Sequence, residues 1–363
     1  MHISHLSLST FRSYQSLELD LEPGISVFVG RNGEGKTNVV ESILYLSFLH
    51  SHRVSSDQPL VQLGAQSAYI RATTQLPDRE VLVELEVNAE KANRARINQN
   101  PVRSQKELFG IVQAIYFSPE DLDLVRGDPS ERRKFIDQLL TLRSPRLAGI
   151  ISDYERAVRQ RNTLLKSRAN NESLSSWDDQ VAKFGGQIIA ARLQTLHDLE
   201  PIFAAIYKEI SAEKPASIGY KSSIDEPSTD DARNTEKILE RMKLTRAAEI
   251  ERGLTLSGPH RDDLLLHLGD HPVKGYASHG ESWSIALSLK LATYQLLKRD
   301  GLEPILILDD VFSELDDQRR THLIELAKSA QQTLITVAVE SDLPKELSGV
   351  RFHVKSGSVT KHA

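Results

Sequence analysis

The sequence predicts an α/β protein whose core is split in two. A β-rich subdomain follows its first βα unit, and a helical lobe is inserted between its halves. Three observations carry this. Residues 25–41, ISVFVGRNGEGKTNVVE, read as a buried strand, a glycine-rich turn and a helix. In mid-chain the apolar period changes from two to three or four, then changes again near Gly253. Near the C-terminal end four aliphatic residues, Ile305 to Leu308, run into Asp309-Asp310.

The elements follow in order. Leu17, Leu19 and Leu21 alternate with Glu18 and Asp20, which predicts a half-exposed strand turned by Pro23-Gly24 into the buried Ile25–Val29. A helix is expected over Val39–Leu49. Residues 68–76, 80–87 and 94–97 alternate with period two and read as antiparallel strands, with Val112–Phe117 as another short strand of the same stretch. Glu131–Leu142 and Leu147–Arg168 read as helices broken at Pro145, Ser167–Ser176 as a polar turn, and Val181 to Ile210 as the second arm of a helical hairpin. Residues 215–228 are irregular with room for a short strand, and Glu236–Glu251 is a helix. Leu264–Leu268, Ile305–Leu308 and Leu334–Val339 are predicted strands, Gly280–Arg299 and Gln318–Ala330 helices, and Val350–Val359 a hairpin around Ser356-Gly357. The expected division is a split core, residues 1–125 with 253–363, and a helical arm, residues 126–252.

At 363 residues the chain is long enough for a large core and two lobes. No 18-residue apolar run is present, so no membrane span is expected. The N-terminal segment lacks a basic region followed by an apolar stretch, so no signal peptide is expected. There is no cysteine, which excludes disulfides and thiolate chemistry and fits a cytoplasmic location. A net charge of −5 leaves room only for a local nucleic-acid-binding patch.

Gly30-Arg31-Asn32-Gly33-Glu34-Gly35-Lys36-Thr37 is the G-x-x-x-x-G-K-[ST] pattern in its required place between a strand and a helix. Glycines let backbone N–H groups turn inward, and the helix start adds positive field, so the segment suits phosphates. Lys36 would reach the β- and γ-phosphates of ATP, and the Thr37 hydroxyl would ligand Mg²⁺. Asp309, at a strand tip, can hold the Mg²⁺ directly or through water, and the second carboxylate, Asp310, can orient and deprotonate the attacking water. Ala277-Ser278-His279-Gly280-Glu281, at a predicted helix start, is either a plain N-cap or a second anion site. Two such sites in one chain suggest a composite ATP site shared between subunits.

Residues 131–168 hold ten Lys/Arg and four Asp/Glu, a surplus of six positive charges in a chain that is negative overall. Helices of this kind suit phosphate contact without base readout, with Arg132, Arg133, Lys134, Arg156, Arg159 and Arg161 as candidates; a solvated helix face is the plainer alternative. Aromatics are sparse there, so backbone contacts, duplex included, are favoured over base stacking. His260, after Gly258-Pro259, lacks neighbours at metal-ligand spacing and reads as a structural hydrogen-bonding residue.

The blocks Phe11-Arg12-Ser13-Tyr14, the phosphate loop, Phe117-Ser118-Pro119-Glu120-Asp121-Leu122, Ser130-Glu131-Arg132-Arg133, Ser257-Gly258-Pro259-His260-Arg261-Asp262-Asp263, the Ser278 segment, and Leu308-Asp309-Asp310-Val311 with Ser313-Glu314-Leu315-Asp316 together resemble the RecF family. These are bacterial recombination-mediator ATPases related to ABC and SMC head domains. The resemblance implies an ABC/SMC-head-like P-loop ATPase core. It implies that Arg12 and Ser13 lie near the nucleotide, that Ser278 and Gly280 belong to a signature reaching the γ-phosphate across a dimer, and that Asp316 lies in the loop linking the two sites. His279 and Glu281 stand where family members often have Gln, and a carboxylate beside a triphosphate must face away from it. The implied function is a weak, switch-like ATPase that dimerises on ATP and clamps DNA at gaps and stalled forks. Its implied partners are RecO and RecR, and its implied outcome is RecA loading and the SOS response. A transporter-type ABC ATPase subunit and a small-molecule P-loop kinase are the competing readings. The residue after the strand ending at Val339 is not His, so Thr336 and Glu340 stand as candidates for the switch.

Overall fold

A computed structural model describes residues 1–167, 171–211 and 214–362. The chain order opens with β1 (His2–Phe11), β2 (Tyr14–Asp20), β3 (Gly24–Val29), α1 (Lys36–Phe48), β4 (Ser67–Gln75), β5 (Glu80–Asn88), β6 (Arg94–Ile97), β7 (Asn100–Pro101) and β8 (Ala114–Phe117). It continues with α2 (Leu122–Arg126), α3 (Pro129–Arg143), α4 (Pro145–Lys166), α5 (Asn171–Ile210), β9 (Ala216–Lys221), α6 (Asp231–Arg252), β10 (Asp263–Leu268) and β11 (His271–Pro272). It closes with α7 (His279–Arg299), β12 (Ile305–Asp309), α8 (Asp317–Ser329), β13 (Gln332–Val337), β14 (Val350–Lys355) and β15 (Ser358–Lys361).

The chain forms two compact units. The first is Met1–Asp121 with Leu297 onward, and it contains two six-stranded sheets. One has the order β2-β1-β4-β5-β6-β7 and is antiparallel. Burial alternates along β4 and β5, as expected of a sheet with one face on the core. The other has the order β15-β14-β3-β13-β12-β8, with every pair parallel except the β14–β15 hairpin. Its central strands β12 and β13 are buried at every residue, the mark of a strand covered on both faces. α1 is buried on almost all sides, and its Val39, Val40 and Ile43 share a core with Leu6 and Leu8 of β1 and Ile305 and Ile307 of β12. That packing fixes α1, and so the phosphate loop, against both sheets.

The second unit, Leu122–Leu296, holds α2 to α6, the sheet β11-β10-β9 and most of α7. The division departs from the expected 1–125 with 253–363 against 126–252. Asp263–Leu268 pairs antiparallel with Ala216–Lys221, and Thr255 accepts from the buried Arg161 at 2.8 Å, so these stretches belong with the helices.

Three further expectations change. β1 went unread because its polar residues, HISHLSLSTF, break the alternation, and a register shift falls between Ile3 and His5. Ala114–Phe117 pairs in parallel with β12 and so lies in the phosphate-loop sheet, outside the β-rich stretch. Of the polar stretch 167–176, residues 168–170 lie outside the described residues, and from Asn171 on it is helix α5 and not a turn; Ser and Asn favour helix starts as much as turns.

Candidate functional site

β3 leads into the phosphate loop, and the loop closes on α1 with Gly35 as its N-cap at φ 112. A Cβ there would lie 2.8 Å from Ser13 Oγ and 3.0 Å from the Tyr14 hydroxyl, so only glycine fits both the angle and the space. Tyr14 is fully buried and its hydroxyl donates to Gly35 O at 3.1 Å. Ser13 Oγ accepts from Asn38 Nδ2 at 2.9 Å. Gly30 is equally confined, since a Cβ would meet Val354 O at 2.3 Å. Arg31, Asn32 and Gly33 are exposed on the open side. Glu34 turns the other way: its carboxylate takes the N–H of Ser356, and its carbonyl accepts from Gly357 N at 3.3 Å, tying the β14–β15 turn to the loop.

Lys36 is 3% exposed, and its ammonium donates to Gly30 O at 2.8 Å and Asn32 Oδ1 at 3.3 Å. Asp310 Oδ2 stands 3.8 Å from the same nitrogen. β12 lies two strands from β3, and its tip brings Asp309 to the start of α1. Thr37 Oγ1 donates to Asp309 Oδ1 at 3.2 Å. Thr336 Oγ1 donates to the same oxygen, and the Tyr116 hydroxyl donates to Asp309 Oδ2 at 2.9 Å. Burial, then the Asp309 charge, push the Tyr116 phenol up, so it remains a donor. Asp310 sits at φ 50 with its N–H on Thr336 Oγ1 at 3.1 Å. Burial pushes its carboxyl above the ordinary carboxylate range against the pull of Lys36, and Asp309 and Asp342 add to the push. Lys36, Thr37, Asp309 and Asp310 therefore converge at one end of the parallel sheet.

These residues fit a nucleotide and Mg²⁺. A carboxylate beside a hydroxyl is a hard-oxygen donor set, which suits Mg²⁺ and not a soft metal. Among the described residues no group of three or more His, Cys, Asp or Glu is gathered to hold a metal. Mg²⁺ commonly keeps waters and phosphate oxygens as its other ligands, so two protein donors suffice.

Arg12, at φ 53, is turned onto α1, where Nη2 donates to Glu41 Oε1 at 2.7 Å and Nε to Oε2 at 2.9 Å. Glu41 is fully buried and also accepts from Ser51 Oγ at 2.6 Å and Arg53 Nη1 at 3.3 Å. Burial pushes its carboxyl up, but Arg12, Ser51 and Arg53 outweigh that and hold it below the usual range. Arg12, Ser13, Asn38 and Arg53 line one wall of an open cleft of about 570 Å³. Glu41 and Arg53 went unnoticed in the sequence; a lone Glu inside the apolar run of a predicted helix is the signal that could have found the first.

Ser278 caps α7 in the second unit. Its Oγ accepts from Glu281 N at 3.2 Å, and Glu281 Oε2 accepts from Ser278 N at 2.8 Å, a reciprocal capping box. Ser278 N–H and hydroxyl, then Lys214, hold the Glu281 carboxyl below its usual range. Glu281 is thus folded back onto its own helix start. Asp316 caps α8, accepting from Arg319 N at 3.0 Å. Glu340, the other switch candidate, is exposed.

Two of the six candidate DNA contacts are corrected. Arg161 is fully buried, with Nε on Asp178 at 2.6 Å and Nη2 on Glu249 at 2.6 Å. Arg132 is 6% exposed and pairs with Asp263 at 2.8 Å. A guanidinium so enclosed cannot reach a DNA phosphate. Arg133 is half-buried and donates to Asp262 O at 2.9 Å, and Lys134 is half-buried. Arg156 and Arg159 are exposed, paired loosely with Asp153 and Glu155 on their own helix. Arg168, counted in the basic stretch, lies outside the described residues. His260 is structural: Tyr154 donates to Nδ1 at 2.5 Å, Nε2 donates to Thr255 O at 3.1 Å, and burial pushes its pKa down to about 4.

The parallel sheet, the phosphate loop and the Asp-Asp strand tip define an ATPase core of the ABC and SMC-head type. The model of the RecF/RecN/SMC N-terminal domain matches residues 2–356. Proteins named DNA replication and repair protein RecF are 49% identical in Streptomyces avermitilis and 47% in Frankia alni, each over 99% of this chain and 100% of the relative. Solved structures of the recombination mediator protein RecF in the RecFOR pathway, RecF-ATPrS and RecF-ATP, superpose with TM-scores of 0.91 at 28% and 27% identity, covering 100% of this chain and 98% of theirs. An Smc head domain from Pyrococcus furiosus, at 15% identity and a TM-score of 0.57 over 99% of this chain and 96% of its own, shares the fold. The chain belongs to the RecF family of DNA replication and repair proteins.

Proposed function

We propose that this chain binds ATP with Mg²⁺, pairs with a second copy through the two nucleotides, and closes on DNA in the repair of gaps and stalled forks. The observation that carries this reading is the convergence of Lys36, Thr37, Asp309 and Asp310 at one end of the sheet. The names of the relatives and the RecF-ATP structures support it.

Lys36 would exchange its carbonyl acceptors for β- and γ-phosphate oxygens, and the glycine-lined turn and the start of α1 would take the remaining phosphate charge. Thr37 and Asp309 would hold Mg²⁺, which when bound neutralises charge on the phosphate oxygens. Asp310, with its raised affinity for a proton, would accept one from the attacking water. In the capping box the Ser278 hydroxyl accepts from Glu281 N and bonds the Glu281 carboxylate, and it would turn its proton from that carboxylate to the γ-phosphate held by another copy. Hydrolysis removes that acceptor and reopens the pair. DNA would be held through its phosphates, with Arg133, Lys134, Arg156 and Arg159 as the remaining arm candidates. RecO and RecR are the proposed partners, and RecA loading with the SOS response the outcome. The cycle suits slow turnover used as a switch, in the cytoplasm.

Light scattering at micromolar protein is the test. Dimers are expected with ATP and not with ADP, and Lys36→Met should abolish them. A chain that stays monomeric with ATP and DNA together would rule the clamp out.

A further inference from the structure

The Asp309 carboxylate has two differently used oxygens. Oδ1 faces α1, where Thr37 donates at 3.2 Å and Thr336 donates from β13. Oδ2 faces β8, where Tyr116 donates at 2.9 Å. Tyr116 sits two residues behind in the register: it pairs with Ile307, and Phe117 with Leu308, so its side chain reaches forward along the sheet to the tip of β12. The ring is itself seated, with the His52 ring 4.6 Å away at a 49° tilt. His52 lies between Ser51 and Arg53, which bind the buried Glu41 of α1. Contacts thus run in a closed circuit: Thr37 and Glu41 on α1, then residues 51–53, Tyr116, Asp309 and back to Thr37.

We infer that Tyr116 is a positioning residue for the metal-side carboxylate, holding Oδ2 of Asp309 so that Oδ1 stays turned to the Thr37 hydroxyl and the phosphate loop. This rests on the reading of Thr37 and Asp309 as the Mg²⁺ residues. A carboxylate turns easily about its last bond, and Mg²⁺ demands near-octahedral geometry, so a ligand free to turn binds it less well. Outer contacts of this kind commonly set metal affinity by factors of about 10 to 100. The neighbouring hydroxyl, Thr336, restrains the same carboxylate through the metal-facing oxygen, where it occupies a lone pair on the metal's side. Tyr116 alone restrains the oxygen turned away from the loop among the contacts described.

Tyr116→Phe keeps the ring against His52 and removes only the hydroxyl. The measurement is the Mg²⁺ concentration for half-maximal binding of a fluorescent ATP analogue, referred in each protein to the affinity for the same analogue in EDTA. The variant should need roughly ten times more Mg²⁺, with the EDTA affinity within error of the parent. Mn²⁺ titrated with the bound analogue and followed by electron paramagnetic resonance should show the same loss. An unchanged Mg²⁺ requirement overturns the inference. Equal losses with and without Mg²⁺ also overturn it, because they report a disturbed loop and not a disturbed carboxylate. Partial destabilisation cancels in the ratio. A parent that binds the analogue no better with Mg²⁺ than without would sink the proposed function, whatever the variant does.

Discussion

At the residue scale, Asp310, the proposed base, shows how position changes a common side chain. Burial and the neighbouring Asp309 favour its protonated form, and only Lys36 opposes them. If Lys36 turns to phosphate when ATP binds, as proposed, the acid limb of hydrolysis should lie above the usual carboxylate range; a pH–rate profile at saturating ATP checks this. Asp310→Asn should retain ATP-dependent dimers and lose most turnover, read by light scattering beside phosphate release. His5 gives a second pH effect, on stability. Asp20 at 2.7 Å and Glu18 at 2.8 Å raise its pKa in the folded chain. That stabilisation is complete below the unfolded value and is lost as pH rises through the folded one. The melting temperature of His5→Gln should therefore fall further below the parent at pH 6 than at pH 9.

At the scale of elements, the legible parts were those whose residues carry their own signal. The phosphate loop was readable because backbone angles and close approach demand glycines in fixed places, and β12 because four aliphatics must be buried on both faces. Most helices were readable from their period. The partners of Asp309 other than Thr37 were not. Tyr116 and Thr336 reach it from strands distant in sequence, and nothing local marks a tyrosine in a short strand as a hydrogen-bond donor to a carboxylate. Arg161 and Arg132 misled for a related reason: a cation on a basic helix looks like a surface residue until its partners, Asp178, Glu249 and Asp263, arrive from elsewhere in the chain. Arg161→Ala would leave the buried Glu249 without its cation, while Asp178 keeps Arg246, and should cost on the order of 3–5 kcal/mol in urea unfolding. Its effect on the salt dependence of DNA binding should be nil at temperatures where the variant is folded.

At the scale of the whole molecule, the parallel sheet draws strands from both ends of the chain, β3 and β8 with β12 to β15. The helices and the small sheet of the second unit are coded between them. The division between units could not be read from composition, because it is set by pairing: β10 follows α6 in sequence yet finds its partner in β9. If the exposed arm cations meet DNA, replacing Arg156 and Arg159 together by Gln should weaken binding alike on all sequences. It should also reduce the slope of log K against log salt by about 1.8, from about 0.9 per contact; filter binding at several salt concentrations measures it. The turn between β14 and β15 adds a different use. Gly357 gives its N–H to the carbonyl of Glu34, inside the phosphate loop and more than three hundred residues earlier. That amide is a natural reporter: its hydrogen-exchange rate or NMR shift should register occupancy of the loop from a surface position, with no label placed near the nucleotide.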